Sequence, residues 1–386
     1  MSVEVATRVG RAGQPPQLYS WGANSHGQLG LGHREDQLLP REVIVDSNQA
    51  VGAVSGGGGH TMCILEDSFL LTCGSNDKGQ IGNGDWDCTA LTRRTLSGGE
   101  CDVSVHKAVG GWDFTLLLDN KGVVYSMGSN TFGQLGRSDV SKTLDKVEFP
   151  GNNKITDIAA GLRHCAAVTD TGSVYCWGAG RKGQLGILQE GKPPNKLLTP
   201  TKVESIPSQA VAVATGAYHT LILTDTGQLL SWGDNRHGQT GQDPLVTTQV
   251  TLPTILQASL MNEAVEQVHS GWTHNVVLTK SGKLFTWGRA DYGQLGRPYE
   301  QSPDFMPRPI TGVDVIKSVS CGSEHNLACS VSGKLYSWGW NEHGICGTGD
   351  EVNVPYPKQV AALDNRHVTS VGCGAGHSFA VCQSDP

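Results

Sequence analysis

One spacing recurs along this chain that few folds can accommodate. A Gly-x-x-His element is followed fourteen residues after the His by a Gly, and five residues later by the first Gly of a Gly-x-x-Gly turn, most often Gly-Gln-Leu-Gly. His60 leads in this way to Gly74 and Gly79, His164 to Gly178 and Gly183, His219 to Gly233 and Gly238, His274 to Gly288 and Gly293, and His325 to Gly339 and Gly344. Phe114 stands in for the His ahead of Gly128 and Gly133. A period of about fifty residues with internal turn signals means either a solenoid or a closed radial array. The seventh unit is split: His377 is too near the last residue to be followed by its own Trp-Gly, while Trp21, Gly22 and the turn Gly27-Gln28-Leu29-Gly30 come first with no His before them. Two half-units that sum to one repeat decide for closure.

Each unit reads as four short strands. In the unit around His219, Ala210–Thr215 is an apolar strand, 220–224 alternates as a second, Asp225-Thr226-Gly227 is a tight turn, and 228–232 makes a third. The outer strand follows the Gly-x-x-Gly turn, for example at 41–45 or 142–149. Four-stranded units around an axis are propeller blades, so the predicted fold is an all-β, seven-bladed β-propeller. In the closing blade 368–372 and 378–382 supply the inner strands, and 17–22 and 41–45 the outer ones. Residues 1–16 are expected to form a flexible N-terminal segment and 17–386 one propeller, with no second domain. A monomer is expected.

Composition narrows the function classes. The 51 Gly among 386 residues fit many tight turns, and a net charge of -7 with no Lys/Arg-rich tail argues against phosphate-dominated nucleic-acid binding. No run of eighteen apolar residues and no signal-peptide stretch occurs, so membrane insertion is not expected and the chain reads as cytosolic, with nuclear residence as a second location. The 11 Cys include no Cys-x-x-Cys pair; they read as free, buried small hydrophobes rather than metal ligands.

His60, His164, His219, His274, His325 and His377 share one repeat position, each in its own blade. Radial symmetry separates such side chains, and Phe114 at the equivalent position suits packing and hydrogen bonding between blades, not a metal ring. No metal and no cofactor is expected. The Gly56–Gly59 run lacks the Gly-Lys-Ser/Thr ending of a phosphate loop and reads as a Gly-rich version of the repeat loop. Without a Gly-x-Ser-x-Gly elbow, covalent catalysis is not expected.

The informative variation lies in two loop types that emerge on one face. Trp112, Asp113, Arg163, Tyr218, Trp272 and Glu324 come from the Gly-x-x-His loops, and Arg289, Asp291, Tyr292, Trp340, Glu342 and His343 from the loops after the third strands. Trp, Tyr and Arg dominate interface hot spots, so these twelve residues are the candidate partner-binding set.

The segments Gly111-Trp112-Asp113-Phe114-Thr115, Ala160-Gly161-Leu162-Arg163-His164 and Ser337-Trp338-Gly339-Trp340-Asn341-Glu342-His343-Gly344, with the repeat across 17–383, make the chain similar to the regulator of chromosome condensation family. The resemblance implies a seven-bladed propeller with the same two-ended closure, a small GTPase as partner, guanine nucleotide exchange as activity and a link to secretion. The founding member exchanges nucleotide on Ran through acidic and His residues in the Gly-x-x-His loops; the matching positions here are Trp112, Arg163 and Thr273. It also inserts a wedge where this chain continues directly from Gly128 into Ser129-Asn130-Thr131-Phe132-Gly133. A non-catalytic scaffold for secretion or vesicle-tethering proteins is the alternative, and a Ran/chromatin regulator the disfavoured third.

Overall fold

The computed structural model describes residues 16–383 apart from 48, 83–85, 95–102, 139–143, 152, 257–259, 261 and 300–302. The expected flexible segment therefore falls almost entirely outside the described residues. The rest forms seven four-stranded antiparallel sheets. Six are meanders in chain order, blades 1 to 6, within 51–93, 105–146, 155–202, 210–255, 265–309 and 316–359. Blade 7 is built from both ends of the propeller: His367–Cys373 innermost, then His377–Gln383, Gln17–Gly22 and Gln37–Val43. Gln17 to Gly22 pair in unbroken register with Cys382 to His377.

The burial pattern explains why each strand is written as it is. The second strand of blades 1 to 6 is buried along its whole length, as in His219–Thr224, because blades flank it on both faces; it therefore reads as a continuous apolar run and not as strict alternation. Innermost strands bury only some positions, as in Ala210–Thr215, and turn the others toward the axis. Outer strands are largely solvated and the least regular. Three expectations are corrected, the first being the alternation of 220–224, since every residue of His219–Thr224 is buried. The outer strand placed at 41–45 is Gln37–Val43, since three residues, 38–40, stand opposite Trp21 alone between the Ser20–Arg41 and Gly22–Gln37 pairs, and this bulge carries the pairing earlier in the chain. Of that placed at 142–149, positions 142 and 143 lie outside the described residues, and among the described ones the strand is Asp145–Lys146, with one further bond from Val147 N–H to Val124 O.

Two layers of polar contacts join the blades. The repeat-position His of one blade reaches the residue that directly follows the repeat-position His or Phe of the next: His60 Nε2 to Thr115 Oγ1 at 2.9 Å, His164 to Thr220 at 3.1 Å, His219 to Asn275 at 2.8 Å, His274 to Asn326 at 2.8 Å, His325 to Ser378 at 3.0 Å and, across the closure, His377 to Thr61 at 3.0 Å. Those same partners donate backward, as Thr115 does to Gln80 O and Asn275 Nδ2 to Gln239 O. With the single hydroxyl proton, or the amide N–H, already committed, the partner oxygen must accept, so Nε2 carries the imidazole proton. Apart from that of His274, which faces Glu324 Oε2 at 3.6 Å, the Nδ1 atoms are then bare acceptors, buried without a hydrogen-bond partner. At the remaining junction Phe114 replaces the His, and the next blade offers Cys165 within one apolar cluster. The second layer is aromatic: Trp21, Trp177, Trp232, Trp287 and Trp338 are fully buried, and each indole N–H donates to a carbonyl of the preceding blade, such as Trp287 to Gln239 O at 3.2 Å.

Gly288 shows what the fixed glycines do. Its φ is +114°, and a Cβ there would lie 2.6 Å from Thr273 O and 2.8 Å from His274 Cα. Gly288→Val should lose roughly 3–5 kcal/mol of stability from the forbidden backbone region and the clash together. A urea midpoint within experimental error of the wild type would contradict that assignment.

Candidate protein-binding face

The face is assembled by two loops per blade. In the Gly-x-x-His loops the first glycine has no room for a side chain: at Gly57 a Cβ would meet the His60 ring at 2.1 Å and Gly111 O at 2.5 Å. These loops are stitched around the axis by backbone bonds that include Gly58 N–H to Gly111 O, Trp112 N–H to Leu162 O, Ala217 N–H to Trp272 O, Trp272 N–H to Ser323 O, Ser323 N–H to Ala375 O and Ala375 N–H to Gly57 O. The loops after the third strands are braced by two side chains. In blade 5's neighbour, blade 4, Asn235 Oδ1 accepts from Thr240 N–H and Gln239 Oε1 from His237 N–H, a scheme repeated by Asn76 and Gln80 in blade 1 and by Asn130 and Gln134 in blade 2. The variable residues thus stand on rigid supports, which lowers the entropy cost of binding.

Each Gly-x-x-His loop has two variable positions with different destinations. The first faces the axis, where Gly58, Trp112, Leu162, Trp272, Ser323 and Ala375 line a constriction of about 80 Å³ above a wider channel. Trp112 and Trp272, from blades 2 and 5, meet there with ring centroids 5.7 Å apart. Gly58 is the bed for Trp112, since a Cβ would stand 3.0 Å from its Cε3, which gives the four-glycine run a packing role. Trp112 remains 44% exposed.

The second variable position points outward to the other loop type. Asp113 accepts weakly from Gln134 Nε2 at 3.5 Å, and the Arg163 guanidinium lies 4.4 Å above the Phe132 ring. Glu324 turns inward and is only 6% exposed. Thr273 Oγ1 donates to Glu324 Oε1 at 2.6 Å and Gln294 Nε2 to Oε2 at 2.8 Å, with His274 Nδ1 3.6 Å from Oε2 and Arg289 Nη1 4.0 Å from Oε1. Burial pushes this carboxyl up, but the His274, Thr273 and Gln294 contacts outweigh it and hold the group below the ordinary carboxylate range. Arg289 in turn donates to Asp291 at 2.9 Å and lies 4.5 Å from the Tyr292 ring centre, and Tyr292 neighbours Trp340 at 6.3 Å.

The structure therefore gathers the candidates into two groups on one face: Trp112, Asp113, Trp272, Trp340 and His343 around a cleft, and Arg289, Asp291, Tyr292 and Glu324 in one charged network beside it. Arg163 stacks between blades 2 and 3, Tyr218 is half-buried outside both groups, and Glu342 is exposed next to His343, whose Nδ1 is 2.7 Å from Asp36 Oδ2. The cleft also draws on His26, Asp77, Lys78 and Asp87, which the sequence reading passed over. His26, Asp77 and Lys78 occupy the same third-strand loop positions in blades 7 and 1 that singled out Asp291, Tyr292, Glu342 and His343, so the repeat itself held the signal.

A closed ring of seven such blades, with glycines and histidines at the same offsets from blade to blade, defines a propeller of the regulator of chromosome condensation type. The chain belongs to the RCC1-like domain family, which it matches over residues 17–380. It is 43% identical to the mouse secretion-regulating guanine nucleotide exchange factor, over 95% of this chain and 83% of that protein, and 40% identical to its bovine counterpart over the same shares. The Arabidopsis thaliana ultraviolet-B receptor UVR8 is 33% identical over 89% of this chain and 76% of its own length. Among solved structures, Prp20p from Saccharomyces cerevisiae, studied for its binding to Gsp1p and histones, superposes with a TM-score of 0.86 at 25% identity, covering 97% of this chain and 92% of that one.

Proposed function

We propose that this propeller is an exchange-factor-like regulator of a small GTPase, which it engages through the face carrying Trp112, Trp272, Arg289 and Trp340. The observation that carries the reading is the identity to secretion-regulating guanine nucleotide exchange factors across nearly the whole chain, supported by a rigid aromatic and charged face of the kind that forms hot spots. The link to secretion and a cytoplasmic or nuclear location belong to the same proposal. A GTPase that holds nucleotide at nanomolar affinity binds it by about -12 kcal/mol, so exchange demands a partner with a strong preference for the empty state. Loops pre-ordered by backbone stitching and Asn/Gln braces can supply such a preference without first being ordered themselves. Release of fluorescent GDP from a panel of small GTPases tests this; no acceleration at micromolar propeller would end the exchange claim.

One observation favours a second reading, a non-catalytic scaffold: the loop positions expected to hold acidic and His residues hold Trp112, Arg163 and Thr273. A scaffold would capture its partner irrespective of nucleotide state, whereas an exchange factor would hold the nucleotide-free form best. Under either reading a Trp112→Ala, Trp340→Ala variant should weaken partner capture by about 30-fold or more, the effect of losing a hot spot worth 2 kcal/mol. Unaltered capture would move the interface elsewhere.

A further inference from the structure

We infer that the cleft bounded by Trp112, Trp272 and Trp340 is a slot for a cationic side chain, arginine or lysine, presented by the protein partner; the inference rests on the reading of this face as the binding one and specifies what enters it. The cleft has a volume of about 560 Å³, in the range of pockets that enclose a ligand or a short peptide segment. Three indoles and three carboxylates, Asp77, Asp87 and Asp113, share its lining. Indole faces attract cations through the ring quadrupole, more strongly than other aromatic rings, and carboxylates add direct charge.

The charges already in the wall are largely matched to one another. Lys78 Nζ sits 3.0 Å from Asp77, and Asp87 receives Arg34 at 3.3 Å, the Asn76 N–H at 3.0 Å and His26 at 3.5 Å. His343 is taken by Asp36. Asp113 is the exception: the described hydrogen bond of its carboxylate is the 3.5 Å one from Gln134 to Oδ1, and it acts on Lys78 only as a more distant charge. Elsewhere on this face the cations that border an aromatic ring are stacked on it, Arg163 over Phe132 and Arg289 over Tyr292. Among the described residues no such stacked cation covers Trp112, Trp272 or Trp340. An under-used carboxylate next in sequence to a half-exposed indole, inside a cleft with two more indoles, is the complement of a guanidinium or ammonium group.

The probe is the peptide acetyl-Gly-Gly-Arg-Gly-Gly-amide, with its citrulline counterpart as a neutral control of the same shape. Indole N–H resonances, assigned by single Trp→Phe variants, report occupancy. The arginine peptide should shift the Trp112, Trp272 and Trp340 signals saturably, the citrulline peptide should bind at least about 5-fold more weakly, and Asp113→Asn should weaken the arginine peptide similarly at an unchanged melting temperature. Equal affinity of the two peptides, or no saturable shift with the arginine peptide, overturns the slot. If Trp112→Ala abolishes capture of a GTPase while the arginine peptide is silent, the slot fails and the face stands. If the peptide binds as expected and no GTPase is captured, the slot stands and the GTPase reading fails.

Discussion

Deleting residues 1–24 should abolish cooperative folding, although a terminal stretch is ordinarily the most dispensable part of a domain. Those residues include Gln17–Gly22, the third strand of blade 7, with Leu18 and Trp21 buried and the Trp21 indole N–H donating to Ile345 O at 2.9 Å. Losing a buried Leu and a buried Trp costs roughly 5–10 kcal/mol by comparison with truncations to alanine. That is comparable to the whole stability of a typical domain, about 5–15 kcal/mol. The deletion also strips His377–Gln383 of its pairing on one side and leaves Gln37–Val43 with no strand to join. A truncated protein with a sharp thermal transition near the wild-type temperature would contradict closure by this strand.

Mild acid should unfold the protein through the ring of histidines. Burial lowers His60 and His219 to about 4, and His164, His325 and His377 to about 3, against about 6.5 in an unfolded chain. Between these values the unfolded state takes up protons that the folded state refuses, so stability is complete above about pH 6.5 and falls as the pH drops toward 4. Each group removes about 1.4 kcal/mol per pH unit in that window. Five acting together exhaust an ordinary domain stability within about two pH units. Denaturant titrations at pH 7, 6 and 5 should show a steep decline, with several protons bound per unfolding event; uptake of fewer than two would refute the scheme. His164→Phe with Thr220→Cys copies the Phe114 and Cys165 junction already present between blades 2 and 3 and should reduce that uptake by about one proton.

Much of the ring was legible because a repeat with a split unit has few geometric solutions. The inner three strands follow from apolar runs and from turn glycines at set offsets. Outer strands were legible only approximately: residues such as 37–43 are solvated, so neither periodicity nor burial marks where pairing resumes after the irregularity at Gly22. The partner of each histidine was written beside the next one, as Thr115 follows Phe114 and Asn275 follows His274, but a single unit cannot reveal a contact made between units. The face was legible as a set of loops and not as a cleft. Asp77 and Lys78 share a wall with Trp340 because the ring brings blades 1 and 6 to either side of blade 7, a neighbourhood that chain order hides. Glu324 turns inward because Gln294, in the adjacent blade, donates to it, and that choice of rotamer leaves no mark in local sequence.

The two-ended seventh blade also sets a clock on synthesis. Gln17–Gly22 emerges among the first strands, yet its inner neighbour His377–Gln383 is made about 355 residues later, a delay on the order of 20–70 s at cellular elongation rates. Over that interval the blades accumulate one by one as an open arc, in which Gln17–Gly22 has no inner partner. The growing chain must therefore keep an adhesive edge protected until His377–Gln383 is made, and the moment of closure converts a growing series of blades into a ring.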